Sequence, residues 1–567
     1  MKVLLAAINS QFMHANLAVR QIHLAALDAG LDTEIFEGHI NLPFRDVLSR
    51  LEWRSADAIG FSCYIWNIEY VLKLCRALKR GRPGIFLFLG GPEAAYRARD
   101  LLSREEAIDA VAAGEGESCV PALLRALVGG KSLETVPGLC VRRGGEIAET
   151  APGALLPPQR WPDVWGRLGL AGMEKRILYI ETSRGCPFRC KYCLSGGAGP
   201  VRFLDTDESV RRLTHMADQG AVLIKLVDRT FNCDVKRAND IWRALIGHQK
   251  RTGHRARYHF EIGAHLLNDE SFAVLADAPK GLFQFEAGIQ SSDDGVLSAS
   301  GRSISFAALR DRLLRVVALG TIHLHVDLIA GLPGGSMETF AKSFDDAWSI
   351  GAEQLQLGFL KLLHGSALRE EAERDGVVYQ PDPPYEVMRT EGFSLRDLNH
   401  LRDVETVLNW YWNSGRYPLA MRRLTEGKSP FSVLSGLAAR MRGDGVFDRE
   451  HGERERAQML MKYAPGEALG DLIRFDFLLR NRRRDLPESL AFAEDDRQKR
   501  ILREAFHPVR GQSLCAFGWN VKEYGAGEAL ERKECELAFD PQEGECALQV
   551  LEGRIRPDIT RCPEGRR

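Results

Sequence analysis

The chain has 567 residues, too many for one compact domain, and its 45% hydrophobic and 27% charged residues are ordinary for a folded soluble protein. Lys+Arg (76) and Asp+Glu (77) nearly cancel, which removes a global electrostatic footprint for nucleic acid. No apolar run approaches the ~18 residues of a membrane span, and the apolar start at residues 3–8 is too short for a signal peptide. Twelve Cys with one tight cluster, Cys186, Cys190 and Cys193, exclude a disulfide scaffold and point to a cytoplasmic protein with a single thiolate site.

In chain order, residues 3–8 predict a strand and 17–29 a helix ending at Gly30. Residues 33–36 and 58–63 predict strands, the second entering the loop Ser62-Cys63-Tyr64-Ile65-Trp66-Asn67; a helix follows over 70–79. Residues 85–89 run into Gly90-Gly91-Pro92-Glu93, and 110–113 into Gly114-Glu115-Gly116-Glu117 before another helix. Strands alternating with helices imply a parallel, doubly wound sheet over residues 1–144, with ligands beyond the carboxyl ends of the strands. Residues 145–175 lose periodicity and carry Pro152, Pro157, Pro158 and Pro162, as a linker does. A second series of strands is expected at 177–182, 223–227, 258–262, 283–289, 323–329 and 354–359. It fits a partial (β/α)6 barrel over residues 176–376, with chemistry at the carboxyl ends of its strands. Residues 377–567 read as a mainly helical domain with a mixed, short-stranded end.

The sharpest signal is Thr182-Ser183-Arg184-Gly185-Cys186-Pro187-Phe188-Arg189-Cys190-Lys191-Tyr192-Cys193. Three thiolates spaced C-x3-C-x2-C on a loop after a strand can converge on one face of an iron–sulfur cubane and leave one iron open. Structural zinc closes its site with four ligands, and no fourth Cys or His lies nearby in sequence. At these residues the chain resembles the radical S-adenosylmethionine (SAM) superfamily, through the Cys triad, Tyr192 one residue before Cys193, and the preceding strand. The resemblance implies a [4Fe-4S] cluster on Cys186, Cys190 and Cys193 whose open iron is chelated by SAM. It also implies an external electron donor such as flavodoxin or ferredoxin.

Other strand ends fit that template. Asp228 follows the second barrel strand and is expected among the catalytic groups. Glu261 ends the third strand, where it could reach the ribose or amino group of SAM, and Glu286 and Gln290 flank the fourth. Gly331-Leu332-Pro333-Gly334 follows the fifth, where such a turn contacts adenine in the superfamily. Each carboxylate could equally be a rim ion pair or a helix cap. His323, His325 and Asp327 share one face of the fifth strand; His325 and Asp327 could shuttle a proton or bind substrate, or be hydrogen-bonded core residues.

The first domain resembles the cobalamin-binding domain that precedes the barrel in one branch of the superfamily. The matching turns are the loop of Ser62 and Tyr64, Gly90 and Gly91, and Gly114 and Gly116, each after a strand. The D-x-H-x-x-G run that supplies a cobalt-ligating His in cobalamin mutases and methyltransferases is absent, and His39 lacks the Gly three positions on. No imidazole ligand to cobalt is therefore expected, and Tyr64, Ile65 and Trp66 are expected beneath the corrin. Such a protein is a cobalamin-dependent radical SAM enzyme, C-methylating an unidentified substrate. One SAM would methylate Co(I) and a second would give the 5′-deoxyadenosyl radical.

Two other readings are weighed. A methylthiotransferase-like RNA-modifying enzyme would need a second cluster, for which Cys63, Cys75, Cys119 and Cys140 are available but form no tight pair. A non-catalytic redox sensor would keep the cluster and corrinoid without turnover. The C-terminal region resembles an uncharacterised domain found on some cobalamin-type radical SAM proteins, which implies no substrate. There Trp410-Tyr411-Trp412 reads as core, the basic run 480–484 as solvated surface, and Cys515, Cys535, Cys546 and Cys562 as too widely spaced for an auxiliary cluster.

Overall fold

The computed structural model describes residues 1–195, 199–481, 485–491, 513–533 and 535–539; Arg482, Arg483, Arg484, Cys546 and Cys562 lie outside them. The first sheet contains β1 (Val3–Asn9), β2 (Glu34–His39), β3 (Ala58–Ser62), β4 (Phe86–Gly90), β5 (Ala110–Ala112), β6 (Leu139–Arg143) and β7 (Glu146–Glu149). Their order is β2-β1-β3-β4-β5-β6-β7. The first five pair in parallel, and β6 and β7 close the edge antiparallel. Both faces of this sheet are covered, so β1 reads as a continuous apolar run rather than an alternating one. Leu4, Ala6 and Ile8 pack beneath the helices Phe44–Trp53 and Ile68–Gly81. Val3, Leu5 and Ala7 pack beneath Leu17–Asp28 and Gly116–Val128. The winding direction reverses between β1 and β3, which opens a crevice at their carboxyl ends.

One boundary is corrected. The expected end of the first domain at residue 144 falls in the turn of the β6–β7 hairpin, whose pairing carries that sheet to Glu149. The hairpin escapes a search for alternating strands and helices because it replaces a crossover with a two-glycine turn at Gly144 and Gly145. The linker then packs down rather than trailing free. Trp161 and Trp165 are buried, and the Trp165 indole N–H donates to the Tyr179 carbonyl at 2.8 Å.

The second sheet runs β8 (Ile177–Ile180), β11 (Leu223–Leu226), β12 (Arg257–Glu261), β13 (Phe283–Gln290), β14 (His323–Ala330) and β15 (Gln354–Phe359) in spatial order. The short pair β9 (Ser183–Arg184) and β10 (Arg202–Phe203) brackets the cysteine loop. Alternation sorts the strand residues: Tyr258, Phe260, Phe283 and Phe285 are fully buried, with Phe260 and Phe285 against Trp242 of the covering helix Val235–Thr252. The intervening residues form polar rows across the register. One row is Tyr179–Lys225–His259–Gln284–His323, the next Glu261–Glu286–His325, and the third pairs Gly288 with Asp327.

The described chain gathers into two compact units. The first takes residues 1–336, 350–352 and 358–394, so the first sheet and most of the barrel form one body, past the expected limit of 376. The second takes residues 337–349, 353–357 and the chain from 395 onward. It is mainly helical, with Leu395–Leu408, Pro418–Thr425, Pro430–Gly443, Glu453–Tyr463 and Glu467–Leu478 ahead of the antiparallel strands Ser513–Phe517 and Cys535–Phe539. Trp410 and Tyr411 are buried core there, and Trp412 packs on Trp348 with ring centroids 4.1 Å apart.

Candidate functional site

Two cavities open at the carboxyl ends of the barrel strands. The first, of about 460 Å³, is lined by Cys186, Cys190 and Cys193 together with Glu261, Glu286, Gly288, Gln290, Arg302 and Asp327. The loop that carries the thiols is braced at both ends. At its start, Asp228 is fully buried and accepts from the Thr182 N–H (2.8 Å), the Thr182 hydroxyl (2.7 Å) and the Ser183 hydroxyl (2.7 Å). Asp228 therefore lines neither cavity and is a positioning residue, which corrects its expected place among the catalytic groups. Farther on, the Lys191 N–H donates to the Ser300 carbonyl at 3.0 Å, and Gly301 lies against the loop at φ +76°. A Cβ at Gly301 would stand 2.8 Å from the Arg189 carbonyl, so any side chain there pushes the loop away.

Among the described residues no group of three or more His, Cys, Asp or Glu is tight enough for a single metal ion; a [4Fe-4S] cluster holds its thiolates around a wider body. Burial raises the Cys190 thiol, partly offset by the charge of Arg302 and a hydrogen bond from the Tyr192 hydroxyl. The Arg302 guanidinium also donates to the Tyr192 hydroxyl (3.1 Å) and the Gly288 carbonyl (3.0 Å). This cation beside the triad went unnoticed in the sequence, because it stands 109 positions from Cys193 on a loop with no pattern of its own.

The inner wall is electrostatically graded. Burial alone would raise the Glu286 carboxyl, but His259 (2.8 Å) and Lys225 (3.3 Å) hold it down at about 2. Asp327 is pushed well above the carboxylate range by burial and by Glu286 and Glu261, and its Oδ1 is buried without a partner. His325 is lowered to about 4 by burial and by the rings of His323 and His259; its Nε2 is likewise unpartnered, and it lines neither cavity. Gln290 lines the first cavity at φ +70°, a strained position for a residue with a side chain. Gly331 has φ +85° in the turn after β14, but neither it nor Pro333 lines either cavity.

The second cavity, of about 790 Å³, occupies the crevice between β1 and β3 and reaches into the barrel. Its lining includes Asn9, His14, Tyr64, Trp66, Glu93, Tyr179, Lys225 and His364. Tyr64 and Trp66 stack with centroids 4.4 Å apart and planes 5° off parallel, a flat aromatic wall suited to a planar ligand. Ser62, Gly90 and Gly91 do not line this cleft. Gly91 has φ +92°, and a Cβ there would lie 2.5 Å from the Cys63 carbonyl, so the turn tolerates only glycine. Gly114 and Gly116 also fall outside both linings. Their turn serves as a seam: Glu115 and Glu117 pair with Arg184, and Glu115 also pairs with Arg202, tying the first sheet to the strands around the cysteine loop. Arg229 and Glu261 line both cavities and so form their common wall.

Cys63, Cys75, Cys119 and Cys140 are all buried, with thiols raised chiefly by desolvation, and none lines either cavity. Among the described residues they form no group of three that could hold a metal ion.

A site with three cysteines around one cavity, and a planar-ligand cleft sharing its wall, defines a two-cofactor protein. Comparison with known proteins agrees. Residues 3–124 match the B12 binding domain, 180–347 the radical SAM superfamily, and 373–513 a protein family of unknown function, DUF4080. The chain thus carries a B12-binding domain, a radical SAM domain that implies SAM and a [4Fe-4S] cluster, and a DUF4080 region. It is 29% identical over 301 residues to the 2-(S-pantetheinyl)-carbapenam-3-carboxylate methyltransferase of Streptantibioticus cattleyicolor, covering 50% of this chain and 44% of that one. It is 29% identical over 309 residues to the cobalamin-dependent radical SAM methyltransferase TokK of Streptomyces tokunonensis, covering 51% and 44%. The alignments thus span less than half the length of these relatives. Among solved structures, the cobalamin-dependent SAM radical enzyme OxsB with aqua-cobalamin bound shares the fold with a TM-score of 0.62 at 12% identity, over 89% of this chain and 84% of that one. No helix of the described residues is long and apolar enough to cross a membrane.

Proposed function

We propose that the protein is a cobalamin-dependent radical SAM methyltransferase that methylates carbon in a substrate held between the two cavities. The observation that carries this reading is the common wall: Arg229 and Glu261 line both the thiol-lined cavity and the cleft of Tyr64 and Trp66. When bound, the cluster with SAM supplies a hydrogen-abstracting radical and cobalamin supplies the methyl group. The chain's own residues set the geometry. Cys186, Cys190 and Cys193 would hold the cluster, Arg302 and Glu286 would meet the charged ends of SAM, and Tyr64 and Trp66 would lie against the corrin. Asp327, with an unpaired buried oxygen on the cavity wall, would hydrogen-bond a polar substrate group. An electron donor of the flavodoxin or ferredoxin kind would reduce the cluster.

The test is turnover of the anaerobically reconstituted, cobalamin-loaded protein under a low-potential reductant. Appearance of both 5′-deoxyadenosine and S-adenosylhomocysteine supports the reading. Appearance of neither favours a redox sensor that keeps its cofactors without catalysis.

A further inference from the structure

Lys225, Val227 and Arg229 alternate along β11 and its continuation, and all three line the second cavity. The continuation keeps the strand's pairing, since the Val227 N–H donates to the Ile180 carbonyl at 2.9 Å. Asp228 between them is buried under its three donors, which fixes the backbone from which Arg229 projects. One strand face therefore presents two cations to the second cavity, and Arg229 lines the first cavity as well.

Other charges on this lining are engaged within the protein. Arg184 pairs with Glu115, Glu117 and Glu181, and Glu181 also accepts from Gln21. Glu93 takes Arg97 at 3.0 Å and the Tyr385 hydroxyl. Lys225 reaches one carboxylate, Glu286 at 3.3 Å, whose oxygen it shares with His259 at 2.8 Å. Arg229 differs from all of these: among the described residues its guanidinium has no ion pair and no hydrogen bond. Burial raises both the Tyr64 hydroxyl and the Glu261 carboxyl, and the Arg229 charge opposes each rise, so the cation is felt on both sides of the common wall.

A guanidinium offers a planar fork of five donors that matches the two oxygens of a carboxylate or phosphate. Arg184 shows that fork filled by the protein's own carboxylates; Arg229 shows it open toward the cavities. We propose that Arg229, backed by Lys225, binds an oxyanion of the substrate, a carboxylate or a phosphate group, so that the enzyme takes an anionic substrate anchored on the wall between its two cofactor sites. This deepens the methyltransferase reading above and rests on it.

Two rival anions are the carboxylate of SAM and the phosphate of the corrinoid, so the test uses protein already loaded with both. The measurement is nuclear magnetic relaxation of inorganic phosphate, through its phosphorus, and of acetate labelled with 13C in the carboxyl, each titrated into the full-length protein carrying SAM and paramagnetic Co(II) cobalamin. The same protein with diamagnetic Co(III) is the reference, and corrinoid content is measured in every sample. The expected result is a saturable, cobalt-dependent relaxation enhancement for the oxyanions and none for acetamide, the neutral counterpart of acetate. Arg229→Gln should weaken that binding about 10-fold, the loss of one charge-assisted hydrogen bond, while Arg229→Lys, which keeps the charge and loses the fork, weakens it less. The oxyanion with the larger enhancement, phosphate or carboxylate, gives the group the substrate carries. Enhancement unchanged in Arg229→Gln, equal enhancement by acetamide, or none in the loaded protein overturns the inference; the last assigns Arg229 to a cofactor's own anion. A protein that takes up no corrinoid overturns the cobalamin reading itself, and this inference with it.

Discussion

The barrel rim and the edge of the first sheet build their cavities by different means. At the rim, side chains on alternating strand positions face inward in rows, so Glu286, His325 and Asp327 are placed by register. Along the first sheet, position comes from topology: the reversal between β1 and β3 makes the crevice, and turns such as Gly91 keep side chains out of the way. A rim can therefore be disabled one residue at a time, while the sheet edge fails through its backbone.

The largest effect belongs to the rim. Replacing Cys186, Cys190 and Cys193 together with Ala should abolish the iron–sulfur absorption band and all SAM cleavage; a surviving [4Fe-4S] signal would place the cluster elsewhere. At the sheet edge, Gly91→Ala forces a Cβ onto the Cys63 carbonyl at positive φ. It should cost about 1–3 kcal/mol in denaturant unfolding and reduce corrinoid uptake while leaving the cluster band intact. A variant that lost both cofactors equally would erase the distinction between the two regions.

Asp228→Ala sharpens the comparison from the rim side. It leaves the Thr182 and Ser183 donors buried without their acceptor, a loss of about 1–3 kcal/mol for each unsatisfied group. Asp228→Asn keeps an acceptor oxygen and should hold the cluster better than Ala does, as read by iron content; equal loss in both would refute the bracing role. The smallest effect is in pH dependence. Glu286 has its folded pKa depressed to about 2, so its contribution to stability is present above the ordinary carboxylate range and lost as pH falls toward that value. Glu286→Gln should flatten the acid limb of the unfolding curve below pH ~4 and leave the neutral region unchanged in slope.

What could be read from the sequence follows the same division. The barrel strands at 223–227 and 283–289 stand within a residue of their observed ends, because buried apolar residues recur along them with period 2. The cysteine loop was legible for its spacing. The antiparallel β6–β7 edge was not, since nothing in Leu139–Arg143 distinguishes a hairpin from the start of a linker. Asp228 looked reactive because it follows a strand end; only burial and three donors reveal a brace. The Glu115 and Glu117 clamp on Arg184, like the His14–Tyr179 pair, joins residues more than 60 positions apart, and no local pattern announces such contacts.

The central claim is that the two cofactor sites share one wall at Arg229 and Glu261. The most direct measurement is electron paramagnetic resonance of the protein carrying both reduced cluster and Co(II) cobalamin, set against samples loaded with each alone. Sites across a common wall predict a magnetic interaction, seen as broadened lines and faster spin relaxation in the doubly loaded protein. A spectrum equal to the sum of the two singly loaded samples, with relaxation unchanged, would contradict it.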